Sequence, residues 1–219
     1  MLIGARQAFF DDDLSAKSYI QDGLIAMWDG IENDGFGVHN PNATVWKDLI
    51  GTRHLGASQI SFEDDCAVFN GNEIFESGGT FSMTLAEVVF YSTSGGIVYM
   101  TNTTTGNRIW ANGDHIGINY YYDGTAIRHD WSGKKTSVST GNPGGASVSA
   151  AHTFVNGKAP TLDSNVPSPY GSVYTGGARM GAASFVGKIY CVRQYNRALT
   201  ADEIAINHAI DKARFNLPT

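Results

Sequence analysis

Beyond Ile60 the chain is interrupted at short intervals by glycine turn pairs: Asn70-Gly71, Gly78-Gly79, Gly95-Gly96, Asn112-Gly113, Asp123-Gly124 and Asn156-Gly157. Such pairs supply the positive φ angles that tight hairpin turns need, and the runs between them are rich in β-branched and aromatic residues. The pattern predicts strands at Asp22–Asp29, Ile60–Phe62, Cys66–Asn70, Ser82–Tyr91, Gly96–Met100, Arg108–Trp110, Gly117–Tyr122, Thr125–Trp131, Ser147–Val155, Val173–Tyr174 and Phe185–Tyr195. Many short strands spaced by turns call for two packed antiparallel sheets. The 26 glycines and a charged fraction of only 16% fit that reading, and an apolar fraction of 42% is enough for one core in 219 residues. One all-β domain is therefore expected, with Trp46 in its core and Ser132 to Ala146 as a long loop.

The period changes once, after Tyr195. Thr200 followed three residues later by Glu203 is a capping box, so a helix starts there. Ile206, Ile210 and Ala213 recur at helical spacing and predict the stripe that docks, with Asp202, Asn207 and Asp211 facing water. Pro218 is expected to end the helix.

The run Gly187-Lys-Ile-Tyr-Cys-Val-Arg-Gln-Tyr-Asn-Arg-Ala-Leu-Thr-Ala-Asp-Glu-Ile204 resembles the closing strand and helix of the concanavalin A-like lectin/glucanase superfamily, in its laminin G and pentraxin-like branch. His152-Thr-Phe-Val-Asn-Gly-Lys158 is similar to that family's Val-Asn-Gly hairpin, Gly23-Leu-Ile-Ala-Met-Trp-Asp-Gly30 to its opening strand, and Trp46-Lys-Asp-Leu-Ile-Gly51 to a further family segment. The resemblance implies a concanavalin A-like jelly-roll sandwich of two antiparallel sheets with a short C-terminal helix. It covers Asp22 to Phe215, so the chain divides into an arm, 1–18, and one domain, 19–219.

Several chemistries are excluded or disfavoured. A net charge of −6 argues against nucleic-acid binding, which needs a basic footprint. No apolar run approaches the roughly 20 residues of a membrane span, and Met1 to Asp13 lacks the hydrophobic region and cleavage site of a secretory signal. Cys66 and Cys191 make no disulfide framework and read as two buried thiols, with pairing left open. The superfamily's glucanases pair two glutamates on one strand face. None of Glu32, Glu63, Glu73, Glu76, Glu87 and Glu203 has that spacing, so an enzyme is not expected. The six histidines show no zinc spacing. A Ser/His/Asp triad, being spatial, stays open.

Binding remains. The resemblance implies calcium at the sandwich rim, with Asp29, Asn33, Asp34 and Asp114 as candidate ligands because the cation takes oxygen donors; the same residues also serve as turn caps. Sugar binding needs flat aromatic faces beside hydroxyl-reading polar groups. Tyr120, Tyr122, Asp123 and Trp131, in one predicted hairpin, are the candidates, with core packing as the alternative. Leu2, Ile3, Phe9 and Phe10 make the arm a docking segment or a frayed end. An arm opening Leu-Ile-Gly-Ala-Arg before a Trp-Asp-Gly strand is similar to structural proteins of bacteriophages of gut Bacteroides. That likeness implies a capsid decoration or fibre protein at a virion surface or outside cells. It would bind a cell-surface polysaccharide, hold other virion proteins through the arm, and assemble with itself, as a trimer by analogy with viral fibres. A structural protein with no ligand and a glycan-active hydrolase are the alternatives.

Overall fold

The computed structural model describes residues 14–56, 61–77, 81–101, 108–112, 115–119, 125–128, 133–141, 153–158, 174–176, 178–182 and 185–218. In chain order the strands are β1 (Leu24–Asp29), β2 (Val45–Trp46), β3 (Leu55–Gly56), β4 (Ser61–Glu63), β5 (Cys66–Asn70), β6 (Phe75–Ser77), β7 (Phe81–Met83), β8 (Leu85–Ser92) and β9 (Gly96–Thr101). There follow β10 (Arg108–Asn112), β11 (His115–Asn119), β12 (Thr125–Arg128), β13 (Thr136–Gly141), β14 (Thr153–Val155), β15 (Tyr174–Gly176), β16 (Ala178–Ala182), β17 (Val186–Tyr195) and the helix α1 (Ala201–Phe215).

These strands build a β-sandwich. One sheet runs β14-β13-β8-β17-β5-β4, with β1 also on β17; the other runs β12-β11-β10-β9-β16-β6-β3-β2. All pairings are antiparallel, and β7 and β15 form a separate pair. The long strand β17 is the spine: β8 lies along one edge, while β5 and then β1 share the other. Between the sheets lies a core of Trp28, Trp46, Phe69, Phe75, Phe90, Tyr99, Ile109, Met180 and Phe185. Trp46 is in it as expected, edge-on to Phe62 and Phe75, with its indole N–H donated to the Asp29 carbonyl at 2.9 Å.

A second apolar cluster fills the other face of the seven-stranded sheet, where Met27, Val89, Tyr190, Cys191 and Tyr195 meet Ile204, Ile210, Phe215 and Leu217. The molecule is thus three layers: sheet, sheet, helix. The helix begins at the capping box, with Thr200 Oγ1 accepting from the Glu203 amide at 3.2 Å and Glu203 Oε2 accepting from the Thr200 amide at 2.8 Å. Arg197 grips the same carboxylate with both terminal nitrogens, at 2.9 and 2.7 Å, and holds its pKa down at about 2. Asn216, at φ 52°, closes the helix in the left-handed conformation ahead of Pro218.

Two expectations are corrected. The docked stripe of α1 is Ile204, Asn207, Ile210, Asp211 and Phe215, while Ile206 is 49% exposed. Asn207 and Asp211 are inside because polar partners wait for them on the sheet, which periodicity of apolar residues alone does not register. Within the expected loop, Thr136–Gly141 is strand β13, between β8 and β14. Its serine and threonine side chains hide a strand whose Val138 packs in the main core. Strands β2, β3, β6 and β16 were also not anticipated, because runs of two to five residues carry too little alternation to read. Cys66 and Cys191 are separate buried thiols. The Val-Asn-Gly hairpin is as expected: Asn156 and Gly157 take φ of 49° and 71° between β14 and Lys158.

Replacing Thr200 with Ala leaves the Glu203 amide without its acceptor; urea unfolding at neutral pH is expected to lose about 1 kcal/mol with an unchanged denaturant slope.

Candidate functional site

Three places among the described residues gather functional side chains or positions. The first is the loop after β1, which holds three of the candidate calcium ligands. Asp29 is fully buried. Its Oδ1 accepts from the Ile31 and Glu32 amides, both at 3.0 Å, and its carboxylate is ion-paired with Arg214. Burial pushes its pKa up, against the pull of Arg214. Asn33 ties the loop across to Asn40, accepting from its amide at 2.7 Å and donating to its carbonyl at 2.8 Å. Asp34 pairs with Lys47 and accepts from the Asn40 side chain at 3.1 Å. Loop amides, together with Lys47 and with Arg214 of α1, thus engage the oxygens of these three residues. Asp114 lies outside the described residues, as do Tyr120, Tyr122, Asp123 and Trp131. Among the described residues no group of three or more His, Cys, Asp or Glu side chains is arranged to hold a metal.

The second place lies beneath α1. Arg193, on β17 and only 1% exposed, donates Nε to Glu87 of β8 at 2.8 Å and both terminal nitrogens to Asp211 of α1, at 2.6 and 2.8 Å. Asn207 donates to Glu87 at 2.7 Å and to the Tyr195 hydroxyl at 3.0 Å. Tyr19 donates to Asp211 at 2.8 Å, and its ring lies under the Arg193 guanidinium, 4.0 Å away. Burial pushes the Glu87 pKa up while Arg193 opposes it. Beside this network Ser137 Oγ sits 2.9 Å from His208 Nδ1, the one Ser/His pairing among the described residues that bears on a triad. The adjoining cavity, about 10 Å³, has room for a single water. Asp211 is already taken by Arg193 and Tyr19, and burial drives His208 toward its neutral form. This arrangement anchors the helix on the sheet.

The third place is the outer face of the eight-stranded sheet, and register defines it. Ile109 and Ala111 of β10 are buried in the core, so Arg108, Trp110 and Asn112 take the opposite positions of the same strand. Trp110 is in register with Gly117 of β11, which pairs with Ala126 of β12, and on its other side with Ile97 of β9, which pairs with Ala182 of β16. One flanking row is Asn119, Arg108, Met100, Arg179 and Glu76; the other is Asn112, His115 and Arg128. A bulge keeps this order. Gly181, at φ +75°, faces inward beside Met180, where a Cβ would come within 2.2 Å of the Phe69 ring, so Ala182 returns to the outer face. Arg179 and Glu76, ion-paired at 2.8 Å with side chains 32% and 49% exposed, are open to water at its β16–β6 end. In the sequence the alternation Arg-Ile-Trp-Ala-Asn was the available signal for it.

No family model matches the chain, and no curated protein matches it. Solved structures share its fold. A Trypanosoma rangeli sialidase in complex with 2,3-difluorosialic acid superposes with a TM-score of 0.59 at 15% identity, over 87% of this chain and 33% of that one. Domain 4 of AbnA, a GH43 extracellular arabinanase from Geobacillus stearothermophilus in complex with arabinotriose, matches with a TM-score of 0.57 at 16% identity, over 83% of this chain and 96% of that one. The chain spans one third of the length of the sialidase, so the likeness is to part of that protein. At these identities it establishes the β-sandwich fold.

Arg193→Met leaves Glu87 and Asp211 buried without their cation, and denaturant unfolding is expected to lose about 3–5 kcal/mol, several times the cost of losing the helix cap.

Proposed function

We propose that the chain is a non-catalytic carbohydrate-binding or adhesion module whose sugar site is the outer face of the eight-stranded sheet. The observation that carries this reading is the row of small and apolar positions centred on Trp110, bordered by rows bearing Arg108, Asn112, His115, Asn119 and Arg128. An indole gives a pyranose ring an apolar surface, and amide, imidazole and guanidinium groups read its hydroxyls. Tyr120, Tyr122 and Asp123 lie between β11 and β12 in the chain and Trp131 follows Arg128 by three residues, all outside the described residues. Support also comes from a fold-sharing neighbour of matching length, domain 4 of AbnA, whose structure contains arabinotriose. A fold does not carry its neighbours' function by itself, so the reading rests on the face.

Display on a virion, as a capsid decoration or fibre protein held through residues 1–18, is the setting suggested by the likeness to phage structural proteins. Leu14 to Ser18 lead out beside α1, with Ala16 buried and its amide donated to Glu32 at 2.6 Å. Deleting residues 1–13, which spares that contact, is expected to leave the domain folded and to abolish co-sedimentation with particles.

The direct test is affinity electrophoresis of the purified chain through gels containing bacterial capsular and plant polysaccharides, with and without chelator. Retardation by at least one polysaccharide is expected, with Trp110→Ala weakening it about tenfold or more at an unchanged melting temperature. No reducing ends should be released from any of them. Retardation indifferent to Trp110 would move the site off this face, and turnover lost on changing one carboxylate would make the chain an enzyme.

A further inference from the structure

The charges placed on this face specify a class of sugar, an inference that rests on the glycan-binding reading above. The described outer-face positions are Val45, Gly56, Glu76, Ile97, Met100, Arg108, Trp110, Asn112, His115, Gly117, Asn119, Ala126, Arg128, Arg179 and Ala182. Three are arginines and one a histidine, whereas the one carboxylate among them, Glu76, is already paired with Arg179. The surplus is local, because the whole chain carries a net charge of −6.

The arginines are also spaced. Arg108 and Arg128 stand four register positions and two strands apart, about 17 Å, with the Trp110 row between them. A single anion needs no such separation. A chain of sugars lying along the apolar row and carrying an acid group on successive rings does. Arginine is suited to this work, since its planar fork matches a carboxylate with two parallel hydrogen bonds. The remaining residues carry the chain's net negative charge, which disfavours attachment of a polyanion away from these rows.

We propose that this face takes a carboxylated glycan, built of uronic or other acidic sugars, with its rings over the Trp110 row and its carboxylates at the Arg108 and Arg128 rows. Neutral sugars of the same shape bind weakly because they leave the arginine rows unanswered.

The test uses the full chain and one polysaccharide backbone in two charge states: polygalacturonate and its fully methyl-esterified form, in affinity gels and by calorimetry. The acid form is expected to bind at least about tenfold more tightly than the ester. Arg108→Gln with Arg128→Gln should remove that difference at an unchanged melting temperature; if the double variant unfolds, Arg128→Gln alone, on edge strand β12, reads the same loss. A second arm compares sialyllactose with lactose, and preference for the sialylated sugar supports the proposal with sialic acid as the source of the carboxylate. Equal binding of acid and neutral forms in both arms overturns it while leaving a neutral-sugar site intact. No binding to any glycan, neutral ones included, brings down the underlying reading. Equal retention of the arginine variants, or binding of a single-stranded oligonucleotide as tight as that of polygalacturonate, also overturns it, because the first removes the face and the second reports charge alone.

Discussion

The guanidinium of Arg193 is the joint on which the three layers depend. It leaves β17, the spine of the seven-stranded sheet, and meets Glu87 from the neighbouring strand and Asp211 from the helix. A charge that is 1% exposed is tolerable only when its hydrogen bonds are answered, and here the answers come from elements far apart in sequence. Helix α1 cannot slide or rotate on the sheet without stranding one of them. Apolar contacts from Ile204, Ile210 and Phe215 supply attraction without direction; the arginine supplies direction.

The same network draws in the segment ahead of β1. Tyr19 lies over Arg193 and donates to Asp211, while Ile20 donates its amide to Asn207 at 3.0 Å and accepts from Tyr195 at 3.1 Å. Arg214 then links α1 to Asp29 and to Glu32, 3.0 Å away, in the first loop. Carboxylates in that loop, which in another sandwich could ligate an ion, are engaged here as anchors for the helix. One face of the sandwich is thereby closed, and the proposed binding face is the far side of the other sheet.

On that far side the deciding feature is parity. Along β9 and β16 a bulge shifts the alternation, and without it Ile97 and Ala182 would leave the Trp110 row. Gly181 permits the shift because any side chain there would collide with Phe69. A packing constraint in the core thus determines which residues meet outside, which is how a common fold can present different surfaces to different ligands.

The sequence by itself determined the β class, the strand boundaries of β5 and β17, the Asn156-Gly157 hairpin, the core place of Trp46 and the Thr200–Glu203 cap, since each depends on neighbours within a few residues. It also suggested strands where β11 and β12 lie, because alternation is local. Only the tertiary structure decided that Asn207 and Asp211 go inward, that a serine-rich stretch becomes β13, and that Trp110 falls between two rows of polar residues. Each of these depends on a partner on another element: Arg193 for Asp211, Glu87 for Asn207, β8 for β13, and β9 and β11 for Trp110. Burial of a polar group is favourable only when its partner arrives with it, and the order of strands in a sheet, which brings partners together, is written nowhere in the local pattern.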